Sequence, residues 1–172
     1  MWILWRTVLG TVAFGLTIMM NGYAAESRVI SVCEALRSAR DLEGKLVSVR
    51  GVQVATGEGA WLEAKNCTLP HDQNSWPNMI WLEMSGSAVD SAGFSSANLS
   101  KQIAEMNSRL EKNAFDGGHD RIQITVIGRF HAVSGKKGAV AGLGHMNGAS
   151  AEIVVKDLKD MLVQHGTGSN RQ

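Results

Sequence analysis

Val47 and Val49 alternate with polar neighbours as far as Gly51, and Val52 and Val54 resume the alternation one residue out of phase. A one-residue change of phase turns every following side chain to the opposite face of a sheet. A glycine at the break permits a bulge, which takes up the extra residue and bends the strand. A long opening strand bent at a glycine suits a small closed barrel, where one strand must serve two sheets. The pattern therefore predicts a kinked first strand, opened by Lys45, with a bulge at Gly51.

The other elements follow from local signals. Ser31-Val32-Cys33-Glu34 has the S-x-x-E form of a capping box and predicts a short helix over about 31–39. Trp61 to Ala64 and Met79 to Met84 read as the second and third strands, the latter with Ile80, Leu82 and Met84 inward. Ser85 to Ala97 is small and polar and reads as a loop. Leu99, Ile103, Met106 and Leu110 recur at helical spacing over about 98–114, with Asn98 or Ser96 as cap and Phe115-Asp116-Gly117-Gly118 as stop. Arg121 to Phe130 is the clearest strand, with Ile122, Ile124, Val126, Gly128 and Phe130 on one face. A glycine-rich mobile hairpin loop, Ser134 to Gly148, leads to a fifth strand over Ala151 to Leu158. Five strands with a helix between the third and fourth is the layout of an OB-fold-like barrel, so the expected class is mainly β with two helices; a mixed α+β sandwich is the competing architecture.

The start of the chain reads as an address. Arg6 precedes the apolar run Thr7 to Met20, and Gly22 and Ala24 supply the two small positions before a cleavage site. We expect a signal peptide over 1–24, one domain over 26–163 and a disordered tail over 164–172. The alternative is an uncleaved membrane anchor, since the run from Trp2 to Met20 nearly reaches the roughly 20 residues of a spanning helix. Cys33 and Cys67 are the only cysteines, and in an exported chain an even count favours a disulfide between them. Both readings point to a periplasmic or secreted protein. Without Arg6, the chain carries 16 basic against 16 acidic residues, which argues against a general nucleic-acid binder.

From Val32 onward the chain resembles a loose group of uncharacterised exported bacterial proteins with OB-fold-like barrels. The resemblance rests on Val32-Cys33-Glu34-Ala35-Leu36, Gly44 to Gly51, Gly59-Ala60-Trp61-Leu62, Gly128-Arg129-Phe130 and Gly142-Leu143-Gly144-His145. It implies the fold and the export, and no activity.

Trp-Leu-Glu occurs twice, at 61–63 and 81–83. If Leu62 and Leu82 point inward, Trp61 and Trp81 point outward beside Glu63 and Glu83. Exposed indoles stack on sugars or bases, and carboxylates accept hydrogen bonds from hydroxyls. The competing arrangement buries the indoles under the 98–114 helix or the 134–148 loop. With Arg50 and Arg129 as further polar contacts, these residues form the expected ligand face of a non-enzymatic binding module. Its ligand would be an oligosaccharide, a peptide or another envelope protein; an envelope hydrolase using Glu63 and Glu83, or a histidine-bound metal, is the alternative. His119, His131 and His145 are the weak metal candidates, while His71 and His165 add no ligand spacing. No cofactor is implied. Gly135 to Gly144 lacks the Gly-Lys-Ser/Thr ending of a phosphate loop, and Lys136, Lys137 and Arg129 form at most a small basic patch. Membrane contact would come only through an uncleaved N-terminal segment.

Overall fold

The computed structural model describes residues 28–64, 66–69, 76–113, 121–135, 137 and 140–164, with the side chains of 109–113 and 164 excluded. The expected signal peptide, the 165–172 part of the tail, the glycine stop at 117–118 and His71, His119 and His165 lie outside the described residues. The elements run β1 (Val29–Ser31), α1 (Val32–Arg37), α2 (Ala39–Leu42), β2 (Leu46–Thr56), β3 (Gly59–Glu63), β4 (Met79–Glu83), α3 (Gly86–Ser91), α4 (Ser96–Asn113), β5 (Arg121–Ala132) and β6 (Ala151–Gln164). The fold is mainly β. The strand order is β1-β2-β3-β4-β6-β5, and β2 also pairs with β5, so five strands form a ring. Within that ring β4 and β6 are parallel and every other pair is antiparallel. Among the described residues no helix is long and apolar enough to cross a membrane.

The bulge expected at Gly51 is not there. Pairing of β2 with β5 runs unbroken from Leu46 opposite Arg129 to Gln53 opposite Ile122, straight through Gly51 opposite Ile124. Pairing with β3 is equally regular from Val52 to Thr56. Val47, Val49, Gly51, Gln53 and Ala55 therefore share one face of a continuous strand. The apparent change of phase has another cause: Gln53 is turned inward and buried, while Val52 and Val54 lie half-buried on the outer face. Gly51 serves the packing of α1. A Cβ there would sit 2.5 Å from Val32 Cγ2 and 3.2 Å from Leu62 Cβ. All the strands belong to one sheet, so β2 does not serve two; on one edge it has two neighbours in succession, β1 along Ser48–Arg50 and then β3 from Val52.

The irregular strand is β6. Its register against β5 shifts twice, between Gln123 and Thr125 and between Ile127 and Gly128. Each shift gives β6 one extra residue, and each extra residue changes which positions face inward. Ala151, Ile153 and Val155 are buried, then Leu158, with Met161 packed against the core. Asp160, at the shift opposite Gln123 to Thr125, has φ of 52°. A simple alternation read from Ala151 ends near Leu158, yet the strand continues to Gln164.

α1 starts as its sequence implies. Ser31 Oγ accepts the Glu34 N–H at 3.1 Å, and the Glu34 carboxylate accepts the Ser31 N–H at 3.4 Å. Val32, Ala35 and Leu36 bury its inner stripe. Cys33 is bonded to Cys67 across 5.5 Å between Cα atoms, tying α1 to the segment after β3. α4 opens earlier than expected, and its N-terminal N–H groups are accepted by neither Ser96 nor Asn98: Asp90 accepts that of Ser96 at 3.4 Å and the Ser95 hydroxyl that of Asn98 at 3.3 Å. Leu99 and Met106 face the core, and Gln102 binds β6 at Asp157 and Leu158. The 85–97 segment is not all loop: it contains α3, anchored by the buried Val89. β5 alternates as predicted, with Ile122, Ile124, Val126 and Phe130 buried.

A candidate ligand-binding face across the five strands

The β3–β4 register puts Trp61 directly opposite Trp81, flanked by Ala60–Leu82 and Leu62–Ile80. Ala60, Leu62, Ile80 and Leu82 are buried in the core, so the two indoles share the opposite, outer face with Glu63 and Glu83. Their rings stack with centroids 6.1 Å apart and planes 16° from parallel. The pairing continues around the ring: Trp81 opposes Glu152 on β6, Glu152 opposes His131 on β5, and Trp61 opposes Val54 on β2. Val54, Trp61, Trp81, Glu152 and His131 thus form one outer row with one residue from each ring strand.

The two indoles differ in exposure. Trp61 is half-buried, whereas Trp81 is only 9% exposed. Trp81 lies between two glycines, since a Cβ on Gly59 or Gly144 would come within 2.4 Å of its ring. His145 stacks on it at 6.4 Å, so the segment between β5 and β6 covers the second indole. That segment folds back by mutual backbone hydrogen bonds between Leu143 and Ala149. Trp76, buried, donates its indole N–H to the Gly135 carbonyl at 2.8 Å and ties the same segment to the chain before β4.

Carboxylates surround the row. Glu43 accepts the Ala132 N–H at 2.6 Å and lies 3.0 Å from His131 Nδ1. Glu152 holds its proton more tightly than an ordinary glutamate, first because it is partly buried and second because Glu83 is close; His131 and the Gly144 N–H offset part of this. Glu83 accepts the Ser85 N–H at 2.8 Å. Next to the row, Glu83 opposes Val154, which opposes Arg129, so Glu83 and Arg129 flank one β6 residue. Arg129 donates to the Gly44 carbonyl, and its guanidinium and the Lys156 ammonium both lie over the Phe94 ring.

Two expected groupings separate. Arg50 does not join the indoles: it donates to Thr125 Oγ1 and, at 2.6 Å, to Asp160, fastening β2 to β5 and β6 elsewhere on the surface. Glu63 opposes Met79 while Glu83 lies beyond Leu82, on the other side of the Trp61–Trp81 pair. Four register positions separate the two carboxylates, about 13 Å along the strands. The carboxyl groups of glycosidases stand about 5 to 9.5 Å apart. Among the described residues no group of three or more His, Cys, Asp or Glu is arranged to hold a metal; His131 faces Glu43 and His145 lies on Trp81.

Glu152, Glu43, Val54 and Trp76 were not among the residues expected at the site. The repeated Trp-Leu-Glu could have led to Glu152, but only once the parallel β4–β6 register was known. Compared with protein-family models, curated proteins and solved structures, the chain finds no match in any of the three.

Proposed function

We propose that this chain is an exported OB-fold-like binding module of the cell envelope, and that it binds an oligosaccharide on the outer face of β3 and β4. The observation that carries the reading is the stacked Trp61–Trp81 pair bordered by Glu63, Glu83 and Glu152. An indole face packs on the C–H face of a sugar, and carboxylates accept its hydroxyl hydrogens. The OB-fold reading is supported by the ring order, the parallel closure of β4 on β6, and α4 placed between the third and fourth ring strands. The export reading is supported by the Cys33–Cys67 bridge together with the charged and apolar start of the sequence.

Titration of the purified chain with cell-wall oligosaccharides should change tryptophan emission, and Trp61→Ala should weaken binding about tenfold. Unchanged emission, or unchanged affinity in Trp61→Ala, would overturn the assignment. An intact mass beginning at Ala25 in exported material would support cleavage; a mass retaining residues 1–24 would replace it with an anchored protein.

A further inference from the structure

Arg129 and Lys156 bring two positive charges onto one aromatic ring. Arg129 on β5 opposes Val154 on β6, and Lys156 stands two positions further along β6, a diagonal neighbour about 7 to 8 Å away. Both side chains are exposed, and Phe94 is half-buried against the core. The meeting is set by the backbone. Gly128 pairs with Val155 and Ile127 with Asp157, so Lys156 is the residue of β6 left without a partner on β5. An extra residue of this kind re-aims its side chain. Gly128 lets the two strands stay close there, since a Cβ on it would come 2.3 Å from the Val154 carbonyl oxygen. The Arg129 guanidinium lies 6.0 Å and the Lys156 ammonium 5.8 Å from the centre of Phe94, so the two charges are no further apart than these distances together.

Like charges held this close repel, and the attraction of an exposed cation to a ring is weak. The neighbouring carboxylates do not compensate. Glu83 accepts the Ser85 N–H, Asp90 accepts the Ser96 N–H, and Asp157 binds Gln102. Among the described residues neither cation forms an ion pair, and the one hydrogen bond they donate is that of Arg129 to the Gly44 carbonyl. Most of the N–H groups on both heads are left to meet a ligand. Two such heads side by side suit an anionic group, which takes charge-assisted hydrogen bonds from both. The place also suits the neighbouring indoles. Arg129 is two residues along β5 from His131 in the outer row, a step of about 7 Å.

We propose that Arg129 and Lys156, held on Phe94, bind an anionic substituent, a carboxylate or a phosphate, carried by the oligosaccharide that lies on the Trp61 face. This rests on the oligosaccharide reading and narrows it to an acidic sugar chain.

Three probes test it in NMR titrations of the full exported chain: oligogalacturonate, its fully methyl-esterified neutral form, and a phosphorylated oligomannoside. The signals followed are the Arg129 Nε–H, the Phe94 ring and the Trp61 indole N–H. One anionic probe or both should shift all three and bind about tenfold more tightly than the ester; which one does so names the substituent. Lys156→Gln should weaken that binding about fivefold, the worth of one exposed ion pair, and Lys156→Glu should weaken it further; neither should alter the ester's affinity. Salt at about 0.5 M should remove most of the anionic advantage. Equal affinity for acid and ester, an unmoved Arg129 and Phe94, or unchanged affinity in Lys156→Gln would each overturn the proposal. The oligosaccharide face is judged separately by Trp61. If the ester moves its indole signal and neither anion binds more tightly, that reading stands and this one falls; if no probe moves it, both fall.

Discussion

α1 and α4 both press apolar residues into the core, and they do so in opposite ways. α1 has six residues and is held closely at every point. Its start is closed by a reciprocal cap, Val32 fills the space left by Gly51, Arg37 donates to the Thr68 carbonyl at 3.1 Å, and Cys33 is covalently bridged. α4 has eighteen residues, and its ties to β6 run through Gln102. Beside Ile103 and Met106 it leaves a groove. Two residues of one strand mark the contrast: Gly51 gives up its side chain so that a helix can come close, and Gln53 keeps an amide where a helix stays away. A short helix cannot stand alone in water, so it needs such anchorage. A long one tolerates an imperfect seat.

The contrast can be broken most strongly at the disulfide. Replacing Cys33 and Cys67 with alanine should cost about 3.5 kcal/mol of unfolding free energy in urea, from the loop that the bridge closes. A loss below 1 kcal/mol would mean that α1 is held by packing alone. Gly51→Val should cost about 2 kcal/mol by forcing α1 off β2, and adding Val32→Ala should recover part of it. Additive losses would show that the two residues do not press on one another. On the α4 side, Ser95→Ala should cost about 1 kcal/mol in thermal unfolding, the usual worth of an N-terminal cap.

The smallest effect belongs outside both helices. Folding raises the Glu152 pKa, so the folded chain binds that proton more tightly than the unfolded one. The associated stability is present at acid pH and is lost as pH rises through the folded value. Glu152→Gln should flatten that part of the stability profile and leave the variant slightly more stable near neutrality. A profile unchanged from wild type would remove Glu152 as its source.

Much of this organisation was legible before any coordinates. The capping box at Ser31, the alternation of β5, the helical spacing of α4 and the cysteine pairing are local or composition-level signals, and each corresponds to an observed feature. What escaped was set by neighbours distant in sequence. β1 has three residues and none is buried, so its only strong signal is its parallel pairing with β2. β6 changes facing twice because of shifts against β5, and an alternation rule stops at the first. At the outer face, the two Trp-Leu-Glu copies indicate where the indoles lie, and the competing arrangement, burial under the 134–148 loop, is the one Trp81 adopts, with Gly144 and His145 against it. The phase change at Gly51 comes from the inward Gln53, and polarity alone does not distinguish a slipped strand from an inward amide.

The closure of β2 on β5 sets an order of events. β2 meets β3 across a short turn, but its other edge waits for residues as far downstream as Arg129. Such distant partners make closure slow. Cys33 and Cys67 are separated by 34 positions, so the sulfur bond encloses a much shorter stretch than the Leu46–Arg129 pairing does, and once made it leaves that closure less chain to search through.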